Sequence, residues 1–350
     1  MALVIVMIVI AVLGILAAGF AYSMKVETKL ARNSSYEPDL EWIGRSGAEF
    51  ARYVLVQSMN VPSEPWDSLN QKWAGGPMGT NDVLINLSLE DNEIGAGRFS
   101  IKIIDLERKF NINLAHEEIL RKGLDIIGAG LETGNNISTI TDSFMDWIDP
   151  NDEPRLSGAE SRDYMNNPNP GFPPYVSKNG PLDDIAELLM IRGITPELYG
   201  RAEKSEQQEP AGGGFGFGAP PASASGLVDL FTTFSSGTVN INTASASVLQ
   251  LMPGLDAGLA QSIVMARSGL DGVDGTEDDV PFRSVGELIN VPGMVPGIVQ
   301  SLQGAFGTRS LTFEVRIVAE INQYRRQFIA IFRRNRVNPR DLQMLFFHWK

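Results

Sequence analysis

Cysteine is absent from these 350 residues, which excludes disulfides, thiolate zinc sites and cysteine nucleophiles. Histidine is nearly absent: only His116 and His348 occur, far apart in sequence. That spacing argues against a histidine-based metal or catalytic centre, and both are expected at the surface. A basic excess is missing as well. The formal net charge is −13, which disfavours a nucleic-acid groove as the main function. Charge of either sign is missing from Met1 to Met24. The order of a secretory signal peptide, a basic start, a short apolar core and a small-residue cleavage site, is not present there. A protein outside the cytoplasm without disulfides can use metal ions to fix its loops.

The uncharged segment is apolar, with the run Leu3-Val4-Ile5-Val6-Met7-Ile8-Val9-Ile10-Ala11-Val12-Leu13. A helix over residues 1–24 reaches about 36 Å, enough to cross a bilayer core of about 30 Å. Lys25, Lys29 and Arg32 follow it, and taken literally the positive-inside rule would place them in the cytoplasm. That orientation reverses if a basic leader before Met1 has been removed, so a mature chain is the expectation. Beyond Met24 the pattern stays helical but turns amphipathic, through Val26, Leu30, Leu40, Ile43, Gly47, Phe50 and Val54. Pro38 is expected to kink or interrupt it, Gly44, Gly47, Ala48 and Ala51 to allow close packing, and Asn60-Val61-Pro62 to end it. Such a layout is that of a type IV pilin-like subunit.

Four strands are predicted: Val83–Leu89, Phe99–Ile103 after a turn at Gly95 and Gly97, Phe313–Ile317, and Arg326–Phe332. The fold class is α+β, with one long N-terminal helix packed on a small antiparallel sheet. A large, mainly helical insertion of two related halves interrupts the sheet. Phe110-Asn111-Ile112-Asn113-Leu114-Ala115 is matched by Val239-Asn240-Ile241-Asn242-Thr243-Ala244. Ile185–Gly193 is matched by Val285–Gly293. The same order in both copies indicates a duplication. The expected domains are 1–24 (transmembrane helix), 25–60 (its amphipathic continuation), 61–109 with 310–350 (sheet), 110–208 (first repeat), 209–226 (flexible Gly/Pro linker) and 227–309 (second repeat, helix-hairpin-helix-like). Arg325, Arg326, Arg333, Arg334 and Arg336 read as solvated edge charges, and Leu345-Phe346-Phe347-His348-Trp349 as an apolar end that docks on the body or a partner.

The chain resembles the type II secretion system minor pseudopilin K (GspK) family. The resemblance rests on the apolar helix, on Asp146-Trp147-Ile148-Asp149-Pro150-Asn151-Asp152-Glu153-Pro154 with Gly158-Ala159-Glu160, and on Val239–Ala244. It implies a non-enzymatic tip subunit of a short fibre, single-pass in the inner membrane of a Gram-negative bacterium, with its C-terminal domain in the periplasm. It implies partners of the I, J and H types, bound through the N-terminal helix and pilin domain, with exported cargo as a further contact. Such a subunit would prime fibre growth for protein export across the outer membrane. Most pilin-like subunits carry a glutamate at mature position five, costly when unpaired in lipid. Here that position is Ile5, as in this family, and a tip subunit has none above it to pair such a carboxylate.

Two acidic loops are candidate Ca²⁺ sites, giving two ions. In the first, Asp146, Asp149, Asp152, Glu153, Glu160 and Asp163 supply only oxygen donors, which selects a hard cation, and the resemblance implies calcium in this head. In the second, Asp271, Asp274, Thr276, Asp278 and Asp279 alternate with glycines; it is not an EF-hand. The alternatives are a minor pilin of a related type IV pilus system and a membrane-anchored helix-hairpin-helix DNA-binding protein. Against the last, no basic residue lies between Asn240 and Ala266, where phosphate contacts would need one, so no nucleic acid is expected.

Overall fold

A computed structural model describes residues 2–78, 83–128, 137–200 and 226–349. Helix α1 spans Ala2–Ser58. A hairpin of β1 (Asn92–Ile94) and β2 (Gly97–Asp105) follows. A head then begins with β3 (Phe110–Asn111), α2 (Glu117–Gly128), α3 (Ile137–Ile148), α4 (Ser161–Asn166), α5 (Pro196–Tyr199), α6 (Leu227–Leu230) and β4 (Phe231–Thr232). It continues with β5 (Val239–Asn240), α7 (Ala246–Leu249), α8 (Ala257–Arg267), α9 (Pro296–Leu302) and β6 (Phe306–Gly307). The chain ends with β7 (Thr312–Ile321), β8 (Tyr324–Arg334) and β9 (Leu342–Trp349).

The sheet is antiparallel in the order β1-β2-β7-β8-β9. The head is inserted between the neighbours β2 and β7, so its two stems leave and re-enter side by side. Alternation along each strand puts Phe99, Ile101 and Ile103, then Phe313, Val315 and Ile317, then Phe328 and Phe332, in one core with Leu40, Ile43, Ala51, Val54 and Leu55 of α1. The period of two in the sequence of these strands is the cause. The expected small residues of α1 do permit close approach. A Cβ on Gly44 would lie 2.6 Å from Phe328 Cδ2, and one on Gly47 2.6 Å from Ile317 Cγ2.

Three expectations are corrected. Pro38 lies inside α1 without interrupting it. The helix is held on both sides of the proline: Tyr36 packs on Tyr324 with ring centroids 5.1 Å apart, Glu37 pairs with Arg326, and Leu40 is buried. Val83–Leu89 is not a strand but a series of turns, with Leu87 N donating to Leu84 O at 3.1 Å and Leu84 buried. Conversely, the apolar C-terminus is a fifth strand, β9, with a bulge opposite Ile331/Phe332. The three-residue β1 adds a short edge on the other side.

The head has its own core, and its two halves repeat in detail. β3 pairs in parallel with β4, and β5 with β6. In the first half Asn113 Nδ2 donates to Leu182 O (2.9 Å) and Leu182 N returns to Asn113 Oδ1 (2.7 Å). In the second, Asn242 Nδ2 donates to Phe282 O (2.9 Å) and Phe282 N to Asn242 Oδ1 (2.8 Å). Short 3₁₀ turns at Ile185–Met190 and Val285–Asn290 match as well. The β3–β4 pairing moves the internal boundary. Residues 226–232 complete the first half, so the Gly/Pro-rich segment interrupts that half instead of separating two copies. The linker expected at 209–226 lies, apart from Gly226, outside the described residues.

Candidate functional site

The first acidic loop is built where α3 ends. Asp146, on its last turn, is wholly buried, and both its oxygens accept Arg155 N at 3.2 and 3.1 Å. Gly158 lies so close that a Cβ there would fall 1.8 Å from Asp146 Oδ2. Glu160 caps α4 in a reciprocal box with Asp163. Its Oε2 accepts Ser177 Oγ at 2.8 Å, while its Oε1 is buried with no hydrogen-bond partner among the described residues. Burial, and then the charges of Asp146, Asp152 and Asp149, push the Glu160 carboxyl up to about 7. Burial also raises Asp146, whereas hydrogen bonds from Ser161 lower Asp152.

Four of the six expected residues, Asp146, Asp149, Asp152 and Glu160, therefore act on one another. Asp163 turns to Arg192 (Oδ1 to Nη2, 3.3 Å), and Glu153 is exposed. Among the described residues no three Asp, Glu or His side chains are gathered closely enough to enclose an ion unaided. The chemistry still fits a hard cation: every donor is oxygen, and the buried Glu160 Oε1 lacks a partner where an anion is costly.

The second loop, after α8, is arranged differently. Asp274 accepts from Arg267 Nε (2.9 Å), Arg267 Nη2 (2.6 Å) and Ser268 Oγ (2.8 Å). Arg267 is buried, and its Nη1 also donates to Ile241 O at 2.5 Å. Asp274 thus neutralises an internal guanidinium. Asp278 Oδ2 accepts Leu270 N (2.6 Å) and Asp271 N (3.1 Å), and Asp279 Oδ2 accepts Gly275 N (2.7 Å). Thr276 Oγ1 donates to Asp278 and Asp279 at 2.7 and 3.3 Å. Asp271 Oδ1 accepts Val273 N at 2.8 Å. These bonds order the loop from within.

One buried constellation went unread in the sequence. At the seam between head and sheet, Asp105 Oδ2 accepts Thr243 Oγ1 (2.6 Å), Ser310 Oγ (2.6 Å) and Asn240 Nδ2 (3.2 Å). Asp67 Oδ2 accepts Ser310 N (2.9 Å) and Arg334 Nη1 (2.6 Å). Arg334 is therefore a buried seam residue, not the solvated edge charge its neighbours suggested. Asn240, in the Asn-Ile-Asn motif, was the available signal. Of the other arginines, Arg326 also stacks on Trp349 (5.0 Å) and Arg333 Nη2 donates to Phe234 O (3.0 Å).

Among the described residues α1 is the one helix long and apolar enough to cross a membrane. Its residues 2–31 are exposed, Ile5 included, and project away from both cores. Such a helix, laid by its second half on an antiparallel sheet, defines a pilin-like subunit. The family model "Type II secretion system (T2SS), protein K" matches residues 109–205. A model of the helix-hairpin-helix motif matches residues 235–306. Type II secretion system protein K of Pseudomonas aeruginosa is 25% identical over 285 residues, covering 79% of this chain and 74% of that protein. The protein K of Aeromonas hydrophila is 22% identical over 358 residues, covering 97% of this chain and 93% of that one. A chain in the crystal structure of the GspK-GspI-GspJ complex from enterotoxigenic Escherichia coli superposes with a TM-score of 0.63 at 15% identity, covering 91% of this chain and 99% of that chain. The chain is thus similar to type II secretion system protein K along most of its length, and the family model for that protein matches part of its head.

Proposed function

We propose that the chain is a minor pseudopilin that caps a short periplasmic fibre, held by α1 in the inner membrane with the head and sheet on the periplasmic side. I- and J-type minor pseudopilins, with an H-type subunit below them, would pack against α1 and the sheet, and the complex would prime fibre growth for protein export. Exported cargo would meet the head. The observation that carries the reading is the absence of any carboxylate from residues 1–24, together with a head inserted between β2 and β7. A subunit within the shaft would need a carboxylate to receive a neighbour's amine, and its head would clash with the turns above. The similar fold found in a complex with I and J subunits supports the same partners. The role is structural rather than catalytic, in keeping with a site that has neither cysteine nor paired histidines. Co-purification with the I- and J-type subunits, from the native chain and from Ile5→Glu, tests this. Loss of the complex in the variant is expected, and unimpaired assembly counts against capping.

The head would bind calcium. Asp146, Asp149, Asp152 and Glu160 would hold one ion, and the unpartnered Glu160 Oε1 supports that choice. Asp271, Asp278 and Asp279 would hold a second, with Thr276 as a neutral donor. The ion would neutralise clustered carboxylates and so stabilise the head. EDTA is expected to lower the Tm of the full chain in detergent, and Glu160→Gln to remove the first ion's share of that response. An unchanged Tm in EDTA defeats the calcium reading while leaving the tip reading to the co-purification.

A further inference from the structure

Asn179-Gly180 is the one Asn-Gly step in the chain. It lies between α4 and the 3₁₀ turn at Ile185–Met190, and it pins that connection onto the end of α3. Asn179 Nδ2 donates to Asn151 O at 2.9 Å, and Gly180 N donates to Trp147 O at 3.2 Å. The Asn179 backbone stands at φ 49°, in the left-handed region that asparagine tolerates better than most residues. Its Oδ1 is buried with no hydrogen-bond partner among the described residues. The turn is thus closed at a cost, in a positive φ and in an orphaned oxygen.

An asparagine followed by glycine is open to attack by its own backbone, because no side chain shields the glycine nitrogen. In the closed turn three features oppose that attack. Trp147 O engages the Gly180 N–H, and Asn151 O holds the leaving nitrogen. Oδ1 has no donor to steady the negative charge that would gather on it. All three are released when the turn opens, and a turn closed at a cost opens locally before the whole chain unfolds. We propose that Asn179-Gly180 is a modification site, deamidated from within the chain whenever this turn opens. Gly180 N gives its proton to solvent and bonds to Asn179 Cγ. The Cγ–Nδ2 bond breaks, and Nδ2 takes a proton from solvent and leaves as ammonia. One water molecule then opens the imide ring at either carbonyl, leaving aspartate or isoaspartate. Both products lack the N–H that Asn151 O now receives, and isoaspartate adds a methylene to the backbone ahead of Gly180 N. The reacted turn does not close as before, so the change runs one way and marks the age of the loop. The inference does not rest on calcium.

The test incubates the full chain in detergent at mildly alkaline pH, folded and in urea. Conversion at Asn179 is read by peptide mass mapping with fragmentation that separates isoaspartate from aspartate. The folded chain is expected to convert about tenfold more slowly than the unfolded one, as a site reached by local opening. A Cβ on Gly180 would meet only Lys178 O, at 3.8 Å, so Gly180→Ala is expected to keep the native Tm. In urea it is expected to cut conversion about tenfold, since a methyl then crowds the attacking nitrogen. Asn179→Asp, the first product, is expected to lower the Tm. Equal rates in the two states overturn the proposal. So does a folded chain that stays wholly amidated while the unfolded chain is consumed, or a Gly180→Ala chain that converts like the native one. An Asn179→Asp chain with the native Tm overturns the one-way step. Should Gly180→Ala fail to fold, its rate in urea still decides.

Discussion

Arg334 Nη1 stands 2.6 Å from Asp67 Oδ2, with the two side chains 1% and 5% exposed. The guanidinium also donates to Ser310 O (2.9 Å) and lies 4.6 Å from the centre of the Phe313 ring. Its Nε and Nη2 have no partner among the described residues. A charge so placed depends on its one counter-ion. Arg334→Ala is expected to cost about 3–5 kcal/mol, since it strands Asp67 in the seam. The double variant Arg334→Met with Asp67→Asn should cost less than the single one. Denaturant unfolding of the three proteins checks the order, and a double variant worse than Arg334→Ala contradicts it.

Gly44 and Gly47 face aromatic and β-branched side chains of the sheet at distances no Cβ tolerates. Alanine raises helix propensity by about 1 kcal/mol over glycine. Here the overpacking should win, and each Gly→Ala change should destabilise the sheet–helix unit by about 1–3 kcal/mol. Gly14 and Gly19, with nothing within 4 Å, serve as controls. Calorimetry of the four single variants in detergent distinguishes the pairs.

The Glu107 carboxyl is pushed up to about 7 from 4.5, by burial first and by the Asp105 charge second, against hydrogen bonds from Ser236. Between those values the folded chain keeps a proton that the unfolded chain has lost. Stability should therefore fall as pH rises through that window and level off above it. Buried Asp105 is also raised and acts in the same sense. Glu107→Gln should flatten the decline by about 1–3 kcal/mol. Unfolding free energies measured across the window in saturating calcium isolate this effect, and an unaltered slope in the variant tells against it.

Gly158→Ala should act through Asp146. The new methyl would displace the carboxylate and press on Arg155 N, 3.3 Å away. A loss of about 1–3 kcal/mol is expected, together with a weaker calcium response if Asp146 belongs to the ion's donor set. Melting curves with and without calcium read both effects. A variant with native stability would mean that the loop accommodates the methyl freely.

The parts of the fold legible in the sequence are those where one face is buried against a single partner. Ile101 and Val315 alternate with polar neighbours because α1 covers one side of the sheet, and the pattern announces the strands. β9 escaped because Leu345-Phe346-Phe347 runs without alternation on a sheet edge. Val83–Leu89 misled because its apolar residues imitate a strand while Leu84 fills a corner of the core. The duplicated Asn-Ile-Asn motif was visible, but not the use of its asparagines. Asn113 and Asn242 each lock a distant backbone, a pairing that depends on tertiary approach. In the acidic loops, residue type indicated oxygen chemistry. Composition could not tell Asp274, held by Arg267, from Glu160, left with an orphaned oxygen.

Gly200 and Gly226 touch. A Cβ built on Gly226 would fall 2.3 Å from Gly200 Cα, and one on Gly200 2.9 Å from Gly226 Cα. The two ends that flank residues 201–225 therefore meet at one point, and both glycines are buried there. That closed neck is a natural grafting position. An epitope or fluorescent domain spliced between the two glycines would carry a reporter on the head, with Thr195 to Gly200 and Leu227 to Thr232 still in place around it.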